Sequence, residues 1–237
     1  MKKIYSLLVF ILFCTESYSQ NFSVRCETGI GQYNMKEIRN LQTNLKNMVS
    51  ELDVKSVVRF PSTLYYGIEA EYQFNKTNAL GVHLFYNTTA GRNHLADYSG
   101  EYKMDILLSS YATGIDYRYT FNKFGKFSMS AYLGAGIRFS TLKIKEDLTV
   151  YGDTVSHSAN TATGKNLYTF PAFEISYPLQ SKLDLKLKAG YEIDFRSKYM
   201  TTDGDGKPQI LYNDDGKFLN VDYSGLRVGL SISYKFT

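Results

Sequence analysis

Hydrophobic and polar residues alternate along most of this chain with a period of two. In the clearest stretch, residues 183–196, one face is apolar and the other carries the charges. The apolar face consists of Leu183, Leu185, Leu187, Ala189, Tyr191, Ile193 and Phe195, and the charged face contains Asp184, Lys186, Lys188, Glu192, Asp194 and Arg196. Such alternation predicts a β-strand whose two faces meet different environments.

The same alternation predicts eight strands in all. They span about 21–33, 63–75, 79–88, 109–121, 127–141, 167–179, 183–197 and 223–237. Pro171 falls within the sixth strand, and proline donates no ladder hydrogen bond. We therefore expect a bulge or an end of regular pairing at Pro171, near the outer rim of the sheet.

The connections between these strands alternate in length. They are short at 75–78, 122–126 and 180–182, and long after the first, third, fifth and seventh strands. Short turns at one end and long loops at the other are typical of outer-membrane barrels. The predicted fold class is therefore all-β, an eight-stranded antiparallel up-and-down transmembrane β-barrel with both termini on the periplasmic side.

One segment departs from the period of two. Between residues 34 and 52, apolar residues are three and four positions apart, and Asn34 with Glu37 resembles a capping box. We expect a short amphipathic helix in the first long loop. Its apolar stripe would pack over the barrel mouth or against neighbouring loops, or else lie on a membrane or bind a partner.

The charged side chains of the eight strands fall on a single face. Acids and bases are equally numerous there, and glycines lie between them. An eight-stranded barrel has room inside only for side chains, and ions buried there need partners. The predicted network of paired charges inside the barrel consists of Arg25, Glu27, Glu69, Glu71, Asp116, Arg118, Arg138, Glu174, Lys186, Lys188, Glu192 and Arg227, with Asp184, Asp194, Arg196 and Lys235 on the same face.

The opposite face is apolar, with aromatic residues collected at the strand ends. In the fifth strand Phe127 and Phe139 flank Met129, Ala131, Leu133, Ala135 and Ile137. Aliphatic middles between aromatic ends are expected of a lipid-facing band with two aromatic girdles.

The N-terminus and the composition narrow the class of protein further. Lys2 and Lys3, an apolar run and the small-residue site Ser17-Tyr18-Ser19 predict a signal peptide over residues 1–19, so that residues 20–237 form the barrel domain. Cys26 is the single cysteine of that domain, which excludes an intramolecular disulfide. Because the net charge is only +4 and both signs are interspersed, we expect no nucleic-acid partner.

The C-terminus carries a recognisable spacing. Arg227, Gly229, Ile232 and Tyr234 fit a polar-x-Gly-x-x-hydrophobic-x-aromatic pattern, and Phe236 completes this C-terminal signal close to the end of the chain. In this spacing and in its strand pattern the mature chain resembles the small OmpA/OmpX-like outer-membrane β-barrel family. The resemblance implies that the outer-membrane assembly machinery of a Gram-negative bacterium reads this signal. The chain departs from the OmpA plan in ending on the eighth strand. It departs again in ending with Phe236-Thr237, where many relatives finish on the aromatic residue.

Candidate chemistry is sparse. His83 would point into the barrel, where we expect a hydrogen-bonded group, whereas His94, Asp97 and Ser99 lie together in the second long loop. A nucleophile needs its base within hydrogen-bonding distance, which sequence proximity does not establish. The motifs at 203–206 and 213–216 resemble calcium loops but lack a third ligand and a distal Glu, so we interpret them as turns.

These patterns predict an integral outer-membrane protein with a closed, salt-bridged interior. Its role would be structural, or would lie in surface interactions of its extracellular loops, with no catalytic, cofactor or metal site. The expected partners are outer-membrane lipid, the assembly machinery and a surface ligand bound through the loops. Two alternatives stay open: an outer-membrane lipid-modifying enzyme, and a secreted, soluble lipocalin-like barrel that binds an apolar ligand.

Overall fold

A computed structural model describes most of the mature chain. The described residues are 21–48, 55–56, 62–151, 153–195, 198–202, 208–212, 216 and 218–236. The predicted signal peptide, Arg196 and nearly all of the two calcium-like motifs lie outside them.

The described part contains one helix and eleven strands. The helix α1 spans Lys36–Met48. The strands are β1 (Phe22–Tyr33), β2 (Lys55–Ser56), β3 (Thr63–Gln73), β4 (Asn78–Ala96), β5 (Gly100–Phe124), β6 (Phe127–Val150), β7 (Asp153–Pro178), β8 (Leu183–Asp194), β9 (Met200–Thr202), β10 (Pro208–Ile210) and β11 (Gly225–Phe236).

Eight of these strands close a ring. The order is β7-β6-β5-β4-β3-β1-β11-β8, and β8 pairs with β7 to complete the circle. Each neighbouring pair is antiparallel, and β1 pairs with β11 from Phe22↔Phe236 to Tyr33↔Gly225. The predicted eight-stranded up-and-down barrel is confirmed.

Short turns and both described chain ends lie at the same end of the barrel. Asn75 shapes the β3–β4 turn, where its side-chain Oδ1 accepts hydrogen bonds from the backbone N–H groups of Thr77 and Asn78 at 2.9 and 2.8 Å. The β5–β6 turn contains Gly125 with a φ of 59°, a left-handed conformation that glycine adopts without steric cost.

The strands β4 to β7 are much longer than the sequence predicts. The segments 89–96, 100–108 and 142–150, expected as loops, continue the antiparallel ladders. Tyr111 and Phe139 belong to the circle of outward aromatic residues at this mouth of the barrel, called the aromatic ring below. From Tyr111 to Gly100, β5 continues beyond this ring for roughly 35 Å of strand length, at about 3.4 Å per residue. A four-stranded sheet therefore stands above one mouth of the barrel.

The sidedness of β5 and β6 reverses where this sheet begins. Within the barrel, β6 turns Leu133 and Phe139 outward, where they are 50% and 47% exposed, while Arg138 is buried inside. Further along the same strand Leu142 is buried inside, and Lys143 lies on the outer face. The interior therefore changes from polar to apolar at the level of Phe139, and the exterior changes in the opposite sense.

Pro171 lies in the middle of β7, opposite Leu133, so its expected placement near the outer rim is wrong. The β7–β8 ladder contains Thr169↔Ile193 and resumes at Ala172↔Gly190. The pairing is interrupted at Pro171, as expected of a residue without a backbone N–H. The ladder with β6 continues on the other side of the strand, so the barrel stays closed.

The helix closes the end of the barrel from which the sheet rises. Met35 and Ile38 are fully buried against Ile106, Leu108 and Leu142, together with Tyr199, Leu219, Val221 and Tyr223.

The predicted capping box is wrong. Asn34 donates to Asp222 Oδ2 at 2.7 Å and Glu37 accepts from the backbone N–H of Asn220 at 2.7 Å, because both side chains fasten the helix to the 218–223 segment.

No helix among the described residues is long and apolar enough to cross a membrane.

Candidate functional site

The charged interior of the barrel is built around Arg25. Its guanidinium donates to Glu69 and to Glu174, which come from β3 and β7 on either side of the interior. Lys188 lies 2.7 Å from Glu27 Oε2 and 3.5 Å from Glu69 Oε2. Each of these side chains is at most 4% exposed, so the ions compensate one another in a space closed to bulk water.

The charges nearest the short-turn end form a connected group. Arg118 holds Glu71 with two hydrogen bonds, at 2.6 and 2.8 Å. Lys186 Nζ lies 3.7 Å from Glu174 Oε1 and 4.0 Å from Glu71 Oε1. This group links the mouth of the barrel to the Arg25 cluster.

The opposite end of the interior is organised by Glu192, which is fully buried. One of its oxygens accepts from Arg138, and the other accepts from Arg227 Nη1 at 2.6 Å. The Arg227 guanidinium carbon also lies 4.2 Å from the Tyr65 ring centroid and 4.5 Å from the Phe85 ring centroid. Cation–π contacts of this kind compensate for lost hydration.

Asp116 joins the network through a tyrosine and a histidine. It accepts from the Tyr132 hydroxyl and lies 2.5 Å from His83 Nδ1, whose other ring nitrogen contacts Tyr168. All twelve charged residues predicted for the interior are buried inside the barrel. His83 also lies there, held between two hydrogen-bonding partners.

Sequence reasoning missed the aromatic members of this network. Tyr65 donates to Glu27 at 2.6 Å, and Tyr132 lies under both Arg25 and Lys188. The signal was present in the alternation, since Tyr65 has the parity of Glu69, Tyr132 that of Arg138, and Tyr168 that of Glu174. A consistent parity count would have placed these rings inside.

The residues of the C-terminal spacing divide between the two faces of β11. Ile232, Tyr234 and Phe236 point outward with at least 40% exposure, whereas Arg227 and Gly229 face the interior. A Cβ added at Gly229 would collide with the Tyr65 hydroxyl. Glycine leaves the space that the Tyr65–Glu27 pair occupies. Recognition by the assembly machinery stays a prediction.

The protruding sheet ends in a compact apex. The backbone N–H of Tyr151, in the β6–β7 turn, donates to the carbonyl of Ser99, in the β4–β5 turn, at 2.9 Å. The two hairpin tips are thus joined, and Tyr98 and Tyr151 project from them with 94% and 78% exposure. The helix supports the sheet from within through a reciprocal pair: Gln42 Nε2 donates to Asn93 Oδ1 at 3.0 Å, and Asn93 Nδ2 donates to the Gln42 carbonyl at 3.1 Å.

The structure does not assemble the candidate catalytic group near this apex. His94 Nε2 lies 2.9 Å from Glu101 and both side chains are exposed. Asp97 accepts from the Ser99 hydroxyl at 2.6 Å and from the backbone N–H groups of Ser99 and Gly100. These hydrogen bonds lower the pKa of Asp97, and the one from the Ser99 hydroxyl has the largest effect. Asp97 therefore shapes the turn, and His94 is directed to a different carboxylate.

Metal and ligand chemistry find little support in the described part of the chain. No group of three or more His, Cys, Asp or Glu residues there is placed to hold a metal ion. The soluble lipocalin-like alternative requires an apolar interior within the barrel. The interior described above is instead filled with ion pairs and tyrosine hydroxyls, while aliphatic side chains cover the outside.

Comparisons with known proteins give structural likenesses at low sequence identity. A major outer membrane protein from Thermus thermophilus is similar over 91% of this chain and 99% of that chain, with a TM-score of 0.49 and 16% identity. The outer membrane protein OprG from Pseudomonas aeruginosa is similar over 92% and 96%, with a TM-score of 0.42 and 13% identity. Ail, the attachment invasion locus protein of Yersinia pestis, is similar over 92% of this chain and 99% of that chain, with a TM-score of 0.38 and 12% identity.

No protein-family model matches the chain, and no curated protein matches it in sequence.

Proposed function

We propose that this protein is an integral outer-membrane β-barrel that anchors a protruding interaction sheet on the bacterial surface. The barrel is the membrane anchor, and its interior is closed by the ion-pair network. The helix and the sheet form a supported platform outside. The role is non-enzymatic, and the apex of the sheet is the contact surface.

The observation that carries this proposal is the reversal of sidedness along continuous strands. Along β5 and β6 the apolar side chains face outward below Tyr111 and Phe139, whereas above them Ile106, Leu108 and Leu142 are buried inside. A strand surrounded by water along its whole length would gain nothing from such a reversal. A hydrocarbon layer around the lower part and water around the upper part account for both halves.

The dimensions of the apolar band support a membrane location. Along β6 the band runs from Phe127 to Phe139, both more than 45% exposed. At about 3.4 Å per residue and a strand tilt of about 40°, this length rises about 30 Å, which matches the hydrocarbon core of a bilayer. The short turns then face the periplasm, and the sheet stands outside the cell.

The closed interior argues for an anchor rather than a channel. Arg25, Glu69 and Glu174 meet across the middle of the barrel, and Arg138, Glu192 and Arg227 meet nearer the sheet. The apolar core around Met35 and Ile38 closes the mouth above them. Any conducting path would have to separate these groups and strand their charges.

The apex has the features of a protein-binding surface. Two exposed tyrosines stand on hairpins that are hydrogen-bonded to each other, and tyrosine is enriched among the residues that dominate binding energies. The sheet and the Gln42–Asn93 pair hold them in fixed positions, which lowers the entropic cost of binding.

The test is adhesion by cells that display the protein. We expect a variant with Tyr98→Ala and Tyr151→Ala to reach the surface in normal amounts and to lose adhesion to extracellular matrix, to neighbouring cells or to both. Tyr212→Ala is the matched control, since Tyr212 is also exposed but lies outside the apex. Unchanged adhesion in the double variant, or an equal loss in the control, would contradict the proposed surface.

A further inference from the structure

The short-turn mouth of the barrel contains a small cavity that the anchoring role does not require. Its volume is about 140 Å³, large enough for several water molecules or one small oxyanion. Arg118, Lys186 and Glu71 line it, together with Lys76 from the β3–β4 turn and Lys123 from the last residues of β5.

The cavity is lined by an excess of positive charge. Both oxygens of Glu71 accept from Arg118, and Asp184 Oδ2 pairs with Lys235 at 2.6 Å, whereas Asp184 Oδ1 has no hydrogen-bond partner. Within the described part of the chain, Lys76 and Lys123 form no ion pair. Lys186 reaches carboxylates only at 3.7 and 4.0 Å, beyond ordinary hydrogen-bonding distance.

A buried donor without a partner also lines the cavity. The Ser176 side chain is 94% buried, since its exposed fraction is 6%, and its Oγ has no hydrogen-bond partner. Ser176 stands opposite Lys186 in the β7–β8 ladder, so the hydroxyl and the ammonium belong to the same part of the wall. Unpartnered buried polar atoms are rare and call for a ligand or water.

We propose that this cavity binds a phosphate-type oxyanion at the periplasmic mouth. Lys76 and Lys123 attract the anion, while Lys186 and the Ser176 hydroxyl supply hydrogen bonds at the inner wall. Phosphate carries more negative charge than a carboxylate ligand. It therefore suits this wall, which already holds two carboxylates, better than a carboxylate ligand does. The phosphate comes either from solution or from the headgroup of an inner-leaflet phospholipid, and both sources offer the same chemistry.

The first experiment measures binding of inorganic phosphate by calorimetry to the full mature protein, in a phosphate-free alkyl maltoside detergent. We expect the dissociation constant to rise about tenfold in the Lys76→Gln, Lys123→Gln variant, because two partly exposed charge contacts are lost. The matched control is Lys126→Gln, Lys182→Gln, which removes two turn lysines that do not line the cavity. Wild-type protein that binds no phosphate, or equal losses in the two variants, would overturn the proposal.

A second pair of variants tests the inner wall. Ser176→Asp places a carboxylate in the cavity and is expected to abolish phosphate binding, whereas Ser176→Asn, of equal size and without charge, is expected to retain it. Heat-modifiable migration in gels verifies that each barrel is folded. Retained binding in a folded Ser176→Asp variant would contradict the assignment.

Repeating the titration in phospholipid nanodiscs distinguishes the two sources. If the anion is free phosphate, the affinity in nanodiscs equals that in detergent. If it is a lipid headgroup, the resident phospholipid competes and the apparent affinity falls. The periplasmic side of the cavity rests on the proposed membrane topology, but these affinities do not, so a failure of either proposal is recognised separately.

Discussion

At the scale of single residues, the interior depends on carboxylates that serve two cations each. Glu192 is fully buried and accepts from both Arg138 and Arg227. Removing its charge leaves two guanidiniums with aromatic rings but without an anion. Cation–π contacts alone do not replace the lost ion pairs.

We therefore predict that Glu192→Gln lowers the free energy of unfolding by about 3–5 kcal/mol, the cost of stranding a buried charge. Urea titration of the refolded barrel in lipid or detergent measures this. Glu101→Gln is the control. Glu101 is exposed beside His94, and we expect a change below about 1 kcal/mol. Equal effects at the two positions would show that the interior ions are well solvated.

The outer face allows a second prediction at the same scale. Leu230 lies in the middle of β11 and is 49% exposed. Because an arginine at the bilayer midplane costs about 2–4 kcal/mol, we expect Leu230→Arg to destabilise the protein in liposomes by that amount. Ser109→Arg, above the aromatic ring, should cost less than about 1 kcal/mol. Similar costs at both positions would contradict the lipid band.

Parity along the strands was enough to predict which residues face the interior. It assigns Arg25, Glu69 and Glu192 to one face without any contact information, and all three side chains are buried in the barrel. It could not pair them, because partners such as Arg25 and Glu174 come from strands on different sides of the ring. Pairing across an interior depends on the shear and tilt of the barrel, which alternation does not encode.

At the scale of elements, the helix α1 is held by its buried stripe rather than by its own caps. Met35 and Ile38 are fully buried, and the side chains of Asn34 and Glu37 both contact the 218–223 segment. Apolar residues three and four positions apart lie on one face of a helix, and this face is the one that is buried. The spacing therefore predicted the helix. The capping box was wrong because the tertiary contacts of Asn34 and Glu37 replace the local ones.

We predict that Ile38→Ala detaches the helix without opening the barrel. Truncating a buried isoleucine costs about 2–5 kcal/mol, which is enough to expose residues 36–48 to local unfolding. Hydrogen exchange should then accelerate in α1 and stay slow in β1 and β11. Thr43→Ala on the exposed side of the helix should change neither rate. Simultaneous acceleration in helix and barrel would show that they unfold as one unit.

The long strands β4 to β7 were the main error of the sequence interpretation. Above Tyr111 and Phe139 the alternation continues with its polarity reversed, so that Ile106, Leu142 and Ile144 point inward. A search for one constant apolar face ends each strand at that reversal. The physical cause is a change of surroundings along the strand, which a fixed pattern does not describe.

At the scale of the whole molecule, two cores of opposite character are stacked. The barrel holds an ionic core beneath outward-facing aliphatic residues, and the sheet and helix enclose an apolar core beneath polar residues. In the proposed topology, the position of this boundary sets both the membrane level and the orientation of the molecule. Sequence alone suggested the orientation through the lengths of the turns.

The orientation predicts a labelling pattern on intact cells. In a Cys26→Ser background, Lys145→Cys on the outer face of the sheet should react with a membrane-impermeant maleimide. Lys123→Cys, at the short-turn end of β5, should react only after the outer membrane is permeabilised. The opposite pattern would reverse the topology. Reaction of both before permeabilisation would indicate that the barrel does not reside in a sealed membrane.

The most direct test of the central claim, that lipid surrounds the barrel below the aromatic ring and water above it, is depth-dependent fluorescence quenching. A fluorophore is attached at Leu230→Cys or Lys143→Cys, again without Cys26, in liposomes that contain nitroxide-labelled lipid. We predict strong quenching by a mid-chain nitroxide at position 230 and none at position 143. Quenching at position 143 with none at position 230 would show that the two environments have been assigned to the wrong parts of the strands.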